Sequence, residues 1–121
     1  MSWKAANPHD FIGRVVATGH CVRLVQEACG APHTSRWRPG RRVRGGDVEH
    51  GTAIATFGGG RYQNKTDGSS HAAIFIAEEA HGLSVIDQWR GHPTAHRVIR
   101  FKGGEGTANN DGDRFFTIEE A

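Results

Sequence analysis

The sequence predicts an α+β domain: an N-terminal helix packed on an antiparallel sheet of about five strands. Three observations predict it. One stretch near the N-terminus has helical periodicity and a helix stop signal. The later apolar runs are short, as strands are. Turns rich in glycine and asparagine separate them, with no second helical pattern between. The 121 residues suffice for one domain with one core, taken as 1–121.

The helix is expected over residues 18–30. Cys21, Leu24, Val25 and Ala28 fall at i, i+3, i+4 and i+7 and share one face. Gly30 stands where a left-handed cap would end the helix, and Pro32 follows closely. Gly19 lets the backbone turn sharply into it. Upstream, Asn7 and Pro8 read as the cap and first residue of a short helical turn.

Residues 31–46 form a basic stretch with Trp37, Pro39, Arg36, Arg38, Arg41, Arg42 and Arg44. It reads as a solvated loop. Its functional alternative is a rim for an anionic polymer, with Trp37 as a stacking surface. Strands are expected at 51–57, 71–77, 83–89, 95–101 and 114–118. A loop opened by three glycines joins the first two, and loops of that length in compact domains are often functional. The Asn110-Asp111-Gly112 run favours a tight turn before the last strand.

Several classes are excluded or weakened. No apolar run of about 18 residues is present, so no membrane insertion is expected. Residues 1–8 lack an apolar stretch of signal-peptide length. The net charge of +2 is mild and neither favours nor excludes nucleic acid, which is not expected as a partner. Cys21 and Cys29 would lie roughly 12 Å apart along the helix axis, too far for a disulfide, so two free thiols are expected, Cys29 for packing. His92 and His96 are spaced by four, but Pro93 argues against a helix presenting both rings, and there is no Cys-x-x-Cys pair. The 109–113 run lacks the glutamate a calcium loop needs, and the glycines after Lys102 lack phosphate-loop spacing. No metal and no cofactor are expected.

Chemistry concentrates on Cys21, His71 and Asp87. A thiol at a helix N-terminus meets unpaired N–H groups and the positive end of the macrodipole, which favour the nucleophilic thiolate. The alternative is a small core residue. A hairpin centred near residue 80 sets Ala73 opposite Asp87 and His71 opposite Trp89. His71 and Asp87 then share a face, one diagonal apart. A slip of one residue would put Gln88 in place of Asp87. In the resulting triad Cys21 attacks a carbonyl, His71 takes the thiol proton and returns it to the leaving amine, and Asp87 orients His71. The Cys21 backbone N–H is half of an oxyanion hole, and His20 is either its helper or a surface histidine.

The ordered set Gly19-His20-Cys21-Val22, then residues 71–76, then Val85-Ile86-Asp87-Gln88-Trp89 resembles the papain-like murein hydrolases of the NlpC and CHAP types. More closely, residues 21–32, 35–40 and 51–57 are similar to a compact group of type VI secretion amidase effectors, their second family or the related BPSL-type proteins. The resemblance runs from about Phe11 to Ile118. It implies a papain-like fold and a cysteine amidase, or murein peptide endopeptidase, that cuts peptidoglycan peptides at meso-diaminopimelate. The cross-link to D-alanine is the favoured bond. It also implies export without a signal peptide, from the cytoplasm of a Gram-negative producer, by the secretion machinery into the periplasm of a rival cell. A small cognate immunity protein would plug the site.

The chain departs from the papain pattern at His20, where a glutamine often supplies the second oxyanion donor. With no separate wall-binding module in view, the cleft walls must bind substrate; Trp37, Trp89, Gln88 and the arginine rim are the candidates. Two other readings remain at this point. One keeps the fold in a phage or housekeeping wall hydrolase. The other is a polyanion-binding module that uses the rim and leaves Cys21 as core.

Overall fold

The computed structural model describes residues 2–120; Met1 and Ala121, the outer bounds of the expected domain, lie outside them. Helix α1 spans Cys21–Cys29. Its apolar stripe is buried as the periodicity requires: Leu24 and Val25 are wholly inaccessible, and Cys21 and Ala28 pack at the margin of the same cluster. Gly30 ends it in the left-handed region at φ 72°, its N–H donating to Gln26 O. Gly19, at φ 86°, makes the turn into the helix. A short 3-10 turn, Pro8–Phe11, occupies the upstream helical site.

Six strands follow: β1 Trp37–Arg42, β2 Ala53–Thr56, β3 Ala72–Glu79, β4 Gly82–Trp89, β5 His92–Arg100 and β6 Phe115–Glu120. They form one sheet in the order β1-β6-β2-β3-β4-β5, every neighbouring pair antiparallel. The α+β expectation therefore stands with six strands rather than five. The extra one, β1, lies inside the basic stretch read as a loop. Pro39, Gly40 and the arginines hide it, because none is a strand former. They are tolerated because β1 is an edge strand paired only with β6, where an absent N–H and exposed charges do no harm.

The sheet buries both faces. Ala53, Ala55, Ala72, Ile74 and Ile86 face the cluster that includes Leu24 and Val25 of α1. Alanines at three of these positions let the helix approach closely, so α1 sits on β3 and β4. Ile54, Ala73, Phe75, Leu83, Val85 and Ile99 alternate to the other face, with Phe115 and Val43. The β3–β4 hairpin pairs Ile74 with Ile86 and Phe75 with Val85, the register expected from the sequence. A bulge between Phe75 and Ala77 shifts it nearer the turn, away from the site.

Candidate active site

Four elements and one long connection converge at the N-terminus of α1. Cys21 is the first residue of the helix. His71 directly precedes β3, Asp87 lies on β4, Arg97 on β5, and Tyr62 comes from the β2–β3 connection. Thr56 pins the His71 backbone: its Oγ1 accepts from His71 N and its N–H donates to His71 O, both at 3.0 Å. The imidazole is thus delivered from a fixed strand end rather than from a free loop.

His71 Nε2 lies 2.7 Å from Asp87 Oδ2, and both side chains are buried. The other edge of the ring is left for Cys21, whose sulfur hydrogen-bonds His71 and receives the backbone N–H of Ala72. Tyr62 Oη stands 3.7 Å from the same sulfur. Sequence reasoning brought Cys21, His71 and Asp87 together, and the structure does the same.

The electrostatics follow from these contacts. Burial acts to raise the Cys21 thiol, but the hydrogen bond to His71 and its charge outweigh it, aided by Ala72 N–H and Tyr62, so the thiol titrates below its ordinary value. Burial acts to lower His71, but Asp87 and the Cys21 sulfur outweigh it and push it up to about 9. The opposed shifts share one cause, the contact between the two groups, and both favour a thiolate beside an imidazolium. Cys29 behaves differently: burial alone pushes it up to about 12, the property of an inert packing thiol.

A cleft of about 440 Å³ opens over Cys21 and His71, walled by His20, Tyr62, Lys65, Trp89, Arg90 and Arg97 among others. Trp89 is half-exposed, stacks on His92 at 4.0 Å and stands edge-on to His71 at 6.4 Å. His20 caps α1 from the cleft rim, its Nε2 3.5 Å from Arg90 Nη1.

Two expected contacts to substrate are corrected. Trp37 is wholly buried; its Nε1 donates to Pro32 O and its ring packs on Tyr62 at 4.9 Å. It offers no face to a ligand because β1 carries it into the core. Gln88 is likewise buried and fully engaged: Oε1 accepts from Val16 N and Thr94 Oγ1, and Nε2 donates to Val16 O and His20 O. It points away from His71 because strand alternation sends Asp87 and Trp89 to one side and residue 88 to the other. That also removes it as the partner of His71. The arginine rim does not reach the cleft. Arg42 and Arg44 pair with Asp113, Arg36 pairs with Glu120, and Arg41 donates to Gly46 O.

Three residues at the site went unnoticed in the sequence. Tyr62 is the sole tyrosine and falls in the loop already marked as functional. Arg97 pairs across β4–β5 with Val85, one diagonal from Asp87, and its Nε donates to Asp87 Oδ2 at 2.7 Å. Arg90 follows Trp89 in the β4–β5 turn. Among the described residues no group of His, Cys, Asp and Glu could hold a metal ion.

Comparison with known proteins places this arrangement. A family model described as domesticated amidase effector 2 matches residues 1–118. A domesticated amidase effector 2 from Ixodes scapularis is 40% identical, over 94% of this chain and 82% of the relative. A type VI secretion amidase effector 2 protein from Salmonella typhi is 33% identical, over 82% of this chain and 84% of its own length. The solved structure of a type 6 secretion amidase effector 2 superposes with a TM-score of 0.85 at 29% identity, covering 98% of this chain and 95% of the other. With nearly the whole length matched in both sequence and fold, the chain belongs to the amidase effector 2 family, which joins type VI secretion effectors and their domesticated relatives.

Proposed function

We propose that this chain is a single papain-like cysteine amidase domain that hydrolyses peptidoglycan peptides through Cys21, His71 and Asp87. The observation that carries the reading is the continuous contact from the Cys21 sulfur through the His71 ring to Asp87 Oδ2. The amidase names of its relatives give the reaction class.

The chemistry follows from the charge state. The Cys21 thiolate adds to the carbonyl carbon of the scissile amide, forming the C–S bond. The N–H of Cys21, at the first position of α1, has no carbonyl of its own helix to bond and faces the developing oxyanion. His20, which precedes Cys21 and lines the cleft, is the candidate for the second oxyanion partner. The His71 imidazolium then protonates the departing amine as the C–N bond breaks. Neutral His71 next deprotonates a water that attacks the thioester, and the thiolate leaves. Asp87 holds the tautomer and stabilises the imidazolium throughout.

The favoured substrate bond is the cross-link between meso-diaminopimelate and D-alanine. The biological setting is delivery by a type VI secretion machine into the periplasm of a Gram-negative competitor, with a small immunity protein that occupies the cleft in the producer. Digestion of purified cross-linked Gram-negative sacculi, with fragments read by mass, tests the proposal. Wild-type protein is expected to convert cross-linked dimers to monomers, and the Cys21→Ala variant to leave them intact. Dimers that persist with folded wild-type protein would overturn it.

A further inference from the structure

The walls of the Cys21 cleft carry positive charge and no carboxylate. His20, Lys65, Arg90 and Arg97 all line it, and no aspartate or glutamate does. The three permanent cations are not equivalent. Arg97 is held by Asp87. Lys65 is offset by Asp67 on its own loop. Arg90 makes no ion pair among the described residues; its guanidinium contacts the His20 ring and its stem approaches Gly19. Several arginines elsewhere have found carboxylates: Arg23 with Glu27, Arg36 with Glu120, Arg42 and Arg44 with Asp113. Arg90 is therefore an uncompensated cation aimed at a partly enclosed space, in contact with the segment that carries the nucleophile.

We propose that Arg90 is a specificity-determining residue that binds a free carboxylate on the leaving-amine side of the scissile amide. This rests on the amidase reading above. The side is assigned by the neighbours of Arg90. His71, which protonates the departing amine, lines the same cleft as Arg90, and Trp89, edge-on to His71, leads into the turn that carries Arg90. A carboxylate on the carbon bonded to the amide nitrogen is what the diaminopimelate cross-link presents. Its planar oxygens match the fork of a guanidinium, which a lysine would meet only as a point charge.

The test uses two synthetic cross-linked stem-peptide dimers that differ at one group: the carboxylate beside the scissile nitrogen is free in one and a carboxamide in the other. Each is hydrolysed by wild type, Arg90→Gln and Arg90→Lys. A charge-assisted hydrogen bond of this kind corresponds to roughly tenfold or more in kcat/KM. Wild type is expected to prefer the free carboxylate by about that factor. Arg90→Gln should lose that preference, its kcat/KM falling further on the free carboxylate than on the carboxamide, and Arg90→Lys should retain part of it. Equal cleavage of both dimers by wild type would overturn the proposal. So would an equal loss by Arg90→Gln on both, which would mark a structural role. Cleavage of neither dimer by wild type would instead overturn the amidase reading on which it rests, and so be distinguishable from failure of the subsite.

Discussion

Arg97 Nε donates to Asp87 Oδ2 at 2.7 Å, the same oxygen that His71 reaches at 2.7 Å, while the guanidinium lies 5.0 Å over the Trp89 ring. The carboxylate therefore divides its charge between two cations, and its other oxygen, Oδ1, has no partner among the described residues. On the proposed mechanism, Arg97 positions Asp87 and weakens its hold on the imidazolium proton.

Replacing Arg97 with glutamine tests that division. Without the guanidinium, Asp87 stabilises the protonated ring more strongly, so the alkaline limb of kcat/KM should move to higher pH. Arg97→Lys should stay near wild type. Proton chemical shifts of the His71 ring across a pH series measure the change directly. A downward movement of the His71 titration in Arg97→Gln would refute the assignment.

The pH profile of the wild-type enzyme follows from the coupled pair. Thiolate and imidazolium coexist between the lowered Cys21 value and the His71 value of about 9. Activity should rise on the acid side as the thiolate forms and fall above about 9 as His71 loses its proton. Stability obeys the same sign. His71 is raised in the folded state, so its contribution is complete below 6.5 and disappears as pH rises through about 9. The thiolate contribution is opposite, present above the ordinary thiol value of 9.0 and lost as pH falls. Denaturant melts of wild type and His71→Phe at pH 6 and pH 9.5 should differ most at the lower pH.

Tyr62 contributes through its hydroxyl and its ring separately. The hydroxyl helps hold Cys21 as thiolate, whereas the ring packs on Trp37 and Phe57. Tyr62→Phe keeps the ring. It should slow alkylation of Cys21 at pH 6 by roughly threefold to tenfold, the value of one hydrogen bond, with the melting temperature almost unchanged. An unaltered alkylation rate would show that the hydroxyl does not act on the sulfur.

Gln88 is a structural anchor, and its hydrogen bonds tie β4 and β5 to the segment leading into α1. Gln88→Leu fills the space but leaves the buried N–H of Val16 unpaired, while the Val16 and His20 carbonyls keep the N–H groups of Gly19 and Arg23. The expected loss is about 1–3 kcal/mol of stability, read by urea denaturation, accompanied by reduced turnover because the helix N-terminus shifts. Unchanged stability would place the Val16 N–H in contact with water instead.

The sequence carried the site better than the edges of the fold. Helical spacing from Cys21 to Ala28, the Gly30 cap and the β3–β4 register were readable because each rests on a local rule, and together they brought Cys21, His71 and Asp87 within reach. Strand β1 was hidden because edge strands admit proline, glycine and charge. Trp37 was misread for the same reason: an aromatic in a presumed loop looks available, but in a strand beside β6 it belongs to the core. Arg97 was legible in principle, as a cross-strand diagonal, but only once β5 had been registered against β4.

The central claim is that Cys21, His71 and Asp87 act as one unit. Initial rates of cross-linked dimer cleavage should be compared for wild type, Cys21→Ala, His71→Ala, Asp87→Asn and the Cys21→Ala/His71→Ala double variant, each checked for folding. Members of one catalytic unit give non-additive losses. Each single variant is expected to lose about a thousandfold or more, and the double variant to be no slower than Cys21→Ala alone. Dimer cleavage by Cys21→Ala at a rate near wild type would contradict the account.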